Sequence, residues 1–157
     1  LVGPGGVLVS DRSLQFIDRQ DGGVPILDLS AGAYTLAIFA GGELTGNYGF
    51  RLSDLATATV LNPGVAAGAL VSGQLAPGSE SDLYRFTAQA GDRFYFDSQS
   101  PSPGSSWWRL IDPQGREVFA RGLGEDDGPR TLAVPGEYLL LVEGRRGATA
   151  PIDYTFN

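Results

Sequence analysis

Leu83-Tyr-Arg-Phe-Thr-Ala-Gln89 and, after Ala90-Gly91-Asp92, Arg93-Phe-Tyr-Phe-Asp-Ser98 decide the fold class. In both runs an aromatic side chain recurs at every second position. Tyr84 and Phe86 therefore share one face of a strand, and Phe94 and Phe96 share one face of the next. Trp108 with Leu110 and Tyr154 with Phe156 repeat the pattern. Arg85, Arg93, Asp97 and Arg109 point the other way, as in a sheet packed on one side and wet on the other. Glu137-Tyr-Leu-Leu-Leu-Val-Glu143 is apolar on both faces and reads as a central strand.

Glycine (23 residues) and proline (10) punctuate the chain between these alternating runs, the spacing of an all-β sandwich or barrel. Pro77-Gly78, Pro103-Gly104, Pro113-Gln-Gly115 and Pro135-Gly136 supply preset or positive φ where turns are needed. Strands are predicted near Ala69–Leu75, Leu83–Gln89, Arg93–Ser98, Trp107–Ile111, Arg116–Arg121, Arg130–Val134, Glu137–Glu143 and Ile152–Phe156. No 12-residue stretch shows helical period with caps, so helix should be scarce.

The chain also repeats itself. Leu1-Val-Gly-Pro4-Gly-Gly6-Val7 matches Leu110-Ile-Asp-Pro113-Gln-Gly115-Arg116 at an offset of 109, and Arg12 and Leu14 meet Arg121 and Leu123. Gly32-Ala-Tyr34-Thr-Leu36 matches Gly136-Glu-Tyr138-Leu-Leu140 at 104, and Tyr48-Gly-Phe50 matches Tyr154-Thr-Phe156 at 106. Such a period is a whole small domain rather than a solenoid turn. Residues 57–157 are expected to form one complete unit and residues 1–56 the closing half of a preceding one. Ala56–Gly68, small and with one turn, reads as the short linker and leading strand between them.

Composition excludes much chemistry. The 157 residues contain no Cys, Met, His or Lys, and all eleven cations are Arg. Disulfides, zinc-thiolate sites, Cys or His nucleophile systems and Lys Schiff bases are impossible within the chain. Net charge is −7 and the Arg residues are scattered apart from Arg145-Arg146, without the basic stripe of a nucleic-acid binder. No apolar run approaches the ~20 residues of a membrane span. Ser79 and Ser81 have no base to activate them, and no pair of carboxylates points to a cleft of the glycosidase kind. The chain is not expected to be an enzyme.

Gly73-Gln-Leu-Ala-Pro-Gly-Ser-Glu-Ser-Asp82-Leu-Tyr84-Arg-Phe86-Thr-Ala-Gln-Ala-Gly91-Asp-Arg-Phe94 resembles the opening half of the bacterial pre-peptidase C-terminal domain. Pro135-Gly-Glu-Tyr138-Leu-Leu-Leu-Val142, followed by Tyr154-Thr-Phe156, resembles its closing half. The resemblance covers about Val60 to Asn157, and residues 1–52 match the closing part alone. It implies a secreted or surface-exposed, antiparallel, jelly-roll-like β-sandwich without catalytic function. Such modules are appended to exported proteases or strung in tandem in large bacterial surface proteins.

Carboxylates are the remaining groups with chemistry. Calcium takes six to eight oxygen ligands, which loop carboxylates and backbone carbonyls supply, and some members of the resembled family bind it. Glu125, Asp126 and Asp127 with Glu80 or Asp82 are therefore the candidate calcium ligands, although no fixed ligand spacing supports them. Asp18 and Asp21 fill the corresponding loop of the first copy. The alternative is that Asp82 bonds the backbone at its strand start and the acidic loop is merely solvated. Trp107 and Tyr95 are expected to face outward. They would lie near one another if their strands are neighbours, forming a stacking surface for glycan or a contact between domains.

A half sandwich exposes an apolar face and unpaired strand edges. Three arrangements would complete residues 1–56: chain preceding Leu1, a neighbouring molecule donating strands, or repetition of the 157-residue block itself. All three make neighbouring copies of the repeat the expected partner, in a filament, sheath or adhesin stalk at the bacterial cell surface. An accessory domain of a secreted hydrolase and a carbohydrate-binding module are the alternatives.

Overall fold

Val2–Gly3 (β1) and Gly6–Val7 (β2) form a minimal antiparallel hairpin, with Val2 opposite Val7 and Gly3 opposite Gly6. Its outer side makes one further antiparallel bridge, Val2 to Thr35, closed by Val2 N donating to Thr35 O and Thr35 N to Val2 O. The coordinates are a computed structural model that describes residues 1–13, 26–62, 70–100 and 106–157. Leu14, Asp18, Asp21, the Pro103-Gly104 turn and the end of the expected linker lie outside these. The chain divides into two units, Leu1–Leu52 and Ser53–Asn157, four residues earlier than the boundary expected from the repeat.

Among its described residues the second unit is all-β apart from one 3-10 turn at Leu55–Thr57, capped by Asp54. Its strands are β3 (Thr59–Val60), β4 (Val71–Leu75), β5 (Ser81–Ala88), β6 (Arg93–Phe96), β7 (Trp107–Ile111), β8 (Glu117–Gly122), β9 (Asp127–Thr131), β10 (Gly136–Glu143) and β11 (Ile152–Phe156). One layer is the five-stranded sheet β3-β5-β10-β7-β8. β10 is central, paired along its whole length with β5 and over five residues with β7, as its two apolar faces require. The opposite layer holds the pairs β4–β11 and β6–β9. Paired amides of Asp97 and Asn157, with a bridge between Ser98 and Phe156, join the end of β6 to β11.

From β4 to β11 the pairing is nested: first strand with last, second with seventh, third with sixth, fourth with fifth. A single long hairpin is thus wound into the two layers of a β-sandwich. Between the layers lie Leu75, Tyr84, Phe86, Phe96, Trp108, Leu110, Phe119, Leu132, Tyr138, Leu140, Val142, Tyr154 and Phe156, every one buried. Aromatic rings carry the contact from layer to layer. Tyr84 meets Phe156 edge-on at 5.3 Å, Phe86 meets Phe94 at 5.3 Å, and Phe96 meets Trp108 edge-on at 6.3 Å.

Three expectations need correction. The strand expected within Ala56–Gly68 is β3, but it runs parallel to β5 and so departs from the all-antiparallel scheme. The strand expected at Arg130–Val134 lies at Asp127–Thr131, because Asp127 already pairs with Phe96 and the regular ladder ends at Thr131 opposite Arg93. The outer face of the five-stranded sheet is not wet at its centre. Ile111, Leu139 and Leu141 are buried there, and Arg109 is only 1% exposed. Arg109 survives burial through a two-pronged bond to Glu143, with Nε at 2.7 Å and Nη2 at 2.5 Å from its carboxylate oxygens. On antiparallel strands the two are diagonal neighbours of one face, since Arg109 stands opposite Leu141 and Glu143 opposite Trp107.

The repeated sequence has repeated local geometry. Val2 pairs with Thr35 as Ile111 pairs with Leu139. The Tyr34 hydroxyl donates to Ser30 O at 2.5 Å, and the Tyr138 hydroxyl to Val134 O at 2.7 Å, four residues back in both cases. A Cβ on Gly136 (φ +138°) would meet Pro113 Cγ at 2.9 Å, and a Cβ on Gly32 would collide with Pro4 Cγ. Glycine is needed at both places because a proline lies against the backbone.

Candidate functional site

Asp82 begins on the inward face of β5, two residues before Tyr84, at the end of the core. The Tyr154 hydroxyl donates to Asp82 Oδ2 at 2.6 Å and lies 2.6 Å from the Tyr84 hydroxyl. Its single proton being committed to the carboxylate, Tyr154 must accept from Tyr84. The relay therefore runs Tyr84 to Tyr154 to Asp82. Gly73 of β4, opposite Tyr154, makes room for it, because a Cβ there would collide with the phenol ring. Burial first, then the bonds to Asp82 and Tyr84, holds the Tyr154 phenol far above the ordinary tyrosine range. Burial is likewise the largest cause that raises Tyr84. The cluster ties β5 to β11 at this end of the sandwich.

The other acidic candidates are held apart in separate local arrangements. Glu80 closes the Pro77 turn by accepting from Ala76 N at 3.0 Å. Glu125 is exposed, and its backbone carbonyl accepts from Trp108 Nε1 at 3.1 Å. Asp126 accepts from the Tyr95 hydroxyl at 3.0 Å and from Ser98 N at 2.9 Å, tying β6 to the turn before β9. That bond raises the Tyr95 phenol. Asp127 is buried at 3% exposure between two guanidiniums, Arg130 (Nη2 at 2.9 Å) and Arg121 (Nε at 3.2 Å). Its bond raises Arg130. Among the described residues no three Asp or Glu side chains are grouped to hold a metal ion. Asp127, read as part of a solvated loop, is instead a buried member of a strand.

Tyr95 and Trp107 do not make a joint surface. Tyr95 is 53% exposed on β6, in the layer opposite β7, while Trp107 is half-buried. Strand alternation turns each away from the core, hence onto opposite outer faces. The condition for their proximity, neighbouring strands, is not met, since β7 is flanked by β10 and β8. Sequence reasoning missed Tyr84–Tyr154–Asp82 and Arg109–Glu143 as pairings, since partners 70 and 34 residues apart carry no local signal.

In the first unit several large apolar side chains among the described residues lie on the surface. Leu36, Tyr48 and Phe50 are 47, 65 and 56% exposed, and Phe39, Leu44 and Leu52 are more so. Among the described residues no helix is long and apolar enough to cross a membrane.

No family model and no curated protein matches the chain. Solved structures are similar at low identity. The periplasmic g-type lysozyme inhibitor PliG of Aeromonas hydrophila is 18% identical, with 63% of this chain and 93% of that one covered and a TM-score of 0.48. The pre-peptidase C-terminal domain of a Bacillus anthracis collagenase is 18% identical, with 69% and 98% covered and a TM-score of 0.48. The PliG of Salmonella Typhimurium is 22% identical, with 63% and 95% covered and a TM-score of 0.42.

Proposed function

We propose that this chain is a non-catalytic structural and interaction module, a repeating β-sandwich segment of a bacterial extracellular filament, sheath or stalk. The recurrence of one corner carries the reading: strand bridge, tyrosine bond and proline-on-glycine contact appear twice, at the offsets of the sequence repeat. Residues 1–56 then represent the closing half of a unit whose complete form is residues 57–157. The polar side chains of the complete unit support a mechanical role. Tyr84, Tyr154, Arg109 and Asp127 are engaged with one another or with neighbours inside the fold. Its partners are neighbouring copies of the same repeat.

Negative-stain electron microscopy of the purified protein tests this. A regular polymer with an axial repeat of one or two sandwich domains is the expected result. Monodisperse particles at all concentrations would remove the filament role and favour an accessory domain of a secreted hydrolase.

A further inference from the structure

A sheet ends in strands whose outer N–H and C=O groups lack a partner within it, and folded proteins guard such edges with charge, proline, bulges or short length. Three of the four edges of the second unit are guarded in this way. β3 has two residues. β8 carries Glu117 and Arg121, and its ladder with β7 shifts register between Leu110 and Ile111. Arg121 Nη1 also donates to the carbonyl of Ala120 on its own strand at 3.3 Å. β9 contains Pro129, which has no N–H, and its ladder with β6 shifts between Phe94 and Phe96. The fourth edge, β4, is Val71-Ser-Gly-Gln-Leu75, without charge or proline and in unbroken register with β11. Among the described residues no strand pairs with its other side.

β11 packs on Tyr84 of β5, and β6 packs on Trp108 and Phe119 of β7 and β8, so β4 lies over the β3 end of the five-stranded sheet. Among the described residues this unit exposes three large apolar side chains, and two of them are here. Val60 of β3 is 54% exposed, and Leu70, next to β4, is 62% exposed. An unguarded edge rimmed by apolar surface favours a partner that adds a strand.

The partner follows from the sequence of β4, which is palindromic in character: aliphatic, polar, glycine, polar, aliphatic. Two copies paired antiparallel about Gly73 set Val71 opposite Leu75 on the core side and Ser72 opposite Gln74 on the outer side, each twice by symmetry. Gln74 gives its Nε2 to Asp153 Oδ1 at 2.7 Å, which leaves its carbonyl to accept from the Ser72 hydroxyl of the second copy. We infer that β4 is the docking strand for β4 of a second copy of this chain. The inference rests on the reading that like copies are the partners, and it names the surface they use.

Sedimentation velocity of the whole chain tests the contact, and a dimer whose share rises with concentration is the expected result. Ser72→Glu with Gln74→Glu sets like charges opposite one another in the pair, as does Ser72→Lys with Gln74→Lys. Each double variant should dimerise at least about ten-fold more weakly. Mixed, the two variants should dimerise again, because every Glu then faces a Lys. Hydrogen exchange at alternate β4 amides of the unaltered chain should slow in step with the dimer share. Monomers at every concentration overturn the proposal and leave the edge to a strand of another protein. A dimer that persists in both variants, or one in which β4 exchange is unchanged, also overturns it. Polymers formed by the Glu variant would remove this contact and keep the filament. Dimers without polymers, lost in the Glu variant, would keep the contact and remove the filament.

Discussion

Tyr154 is the side chain on which most polar order at the sandwich end depends. Tyr154→Phe keeps the ring but strands the Asp82 carboxylate and the Tyr84 hydroxyl, and should lower stability by about 1–3 kcal/mol in urea titration. Tyr84→Phe removes only the outer member of the relay and should cost less. The two phenols also set an alkaline limit. Their folded values are raised, so the unfolded chain loses these protons first, near the ordinary tyrosine value of 10.0. Their contribution is complete below pH 10 and falls as pH rises beyond it. In Tyr154→Phe this alkaline fall should become shallower, and an unchanged slope would assign it to other groups. Asp112 works at the other end of the scale. Burial acts to raise it but is outweighed by bonds from the Arg116 amide and side chain and the Gln114 amide, so its value is lowered. That contribution is lost as pH falls below the ordinary 3.8 toward the lowered folded value.

At the scale of elements, β10 and β7 are coupled by the buried Arg109–Glu143 pair. Arg109→Met leaves an uncompensated buried carboxylate and should cost about 3–5 kcal/mol, whereas the double change with Glu143→Leu should recover most of that loss. Equal losses in the single and double variants, read in denaturant titrations, would show that shape rather than charge matters there. Alternation made Tyr84, Phe86, Phe94, Phe96, Trp108 and Leu110 legible as core, and two-faced apolarity made β10 legible as central. The same rule misplaced Arg109, because alternation reports which face a residue takes and not whether that face meets water. For Tyr95 and Trp107 alternation reported an outward direction but not whether their strands are neighbours, and the winding of the long hairpin separates β6 and β7 into opposite layers. The carboxylates were recognisable as a class, but Asp82 and Asp126 have their tyrosine partners, Tyr154 and Tyr95, 72 and 31 residues away, too far along the chain for spacing to disclose.

For the molecule as a whole, the two units should differ in stability. Residues 1–52 rest on a short hairpin of two-residue strands and one bridge among the described residues, with Leu36, Phe39, Leu44, Tyr48, Phe50 and Leu52 exposed, while residues 53–157 enclose a continuous aromatic core. Hydrogen exchange should be fast in the first and slow along β5, β7 and β10 in the second. Uniform protection across the chain would contradict this division. Added calcium should leave the melting temperature unchanged, given that Asp82, Asp126 and Asp127 already have protein partners. A rise of several degrees that chelation reverses would restore the metal site.

The nesting of first strand on last has a mechanical consequence. Val71 at the start of β4 stands opposite Phe156 at the end of β11, so tension applied at these two points would peel the pair apart one rung at a time. The short parallel strand β3 precedes that pair and is bonded alongside β5 in the other layer. Load arriving from the N-terminal side therefore meets β3 first and pulls it lengthwise, straining its rungs together. Single-molecule pulling should accordingly give a higher rupture force with the handle placed before Thr59 than with it placed at Val71. In a tethered string of such beads, two residues at a sheet edge would act as the latch that keeps each one shut.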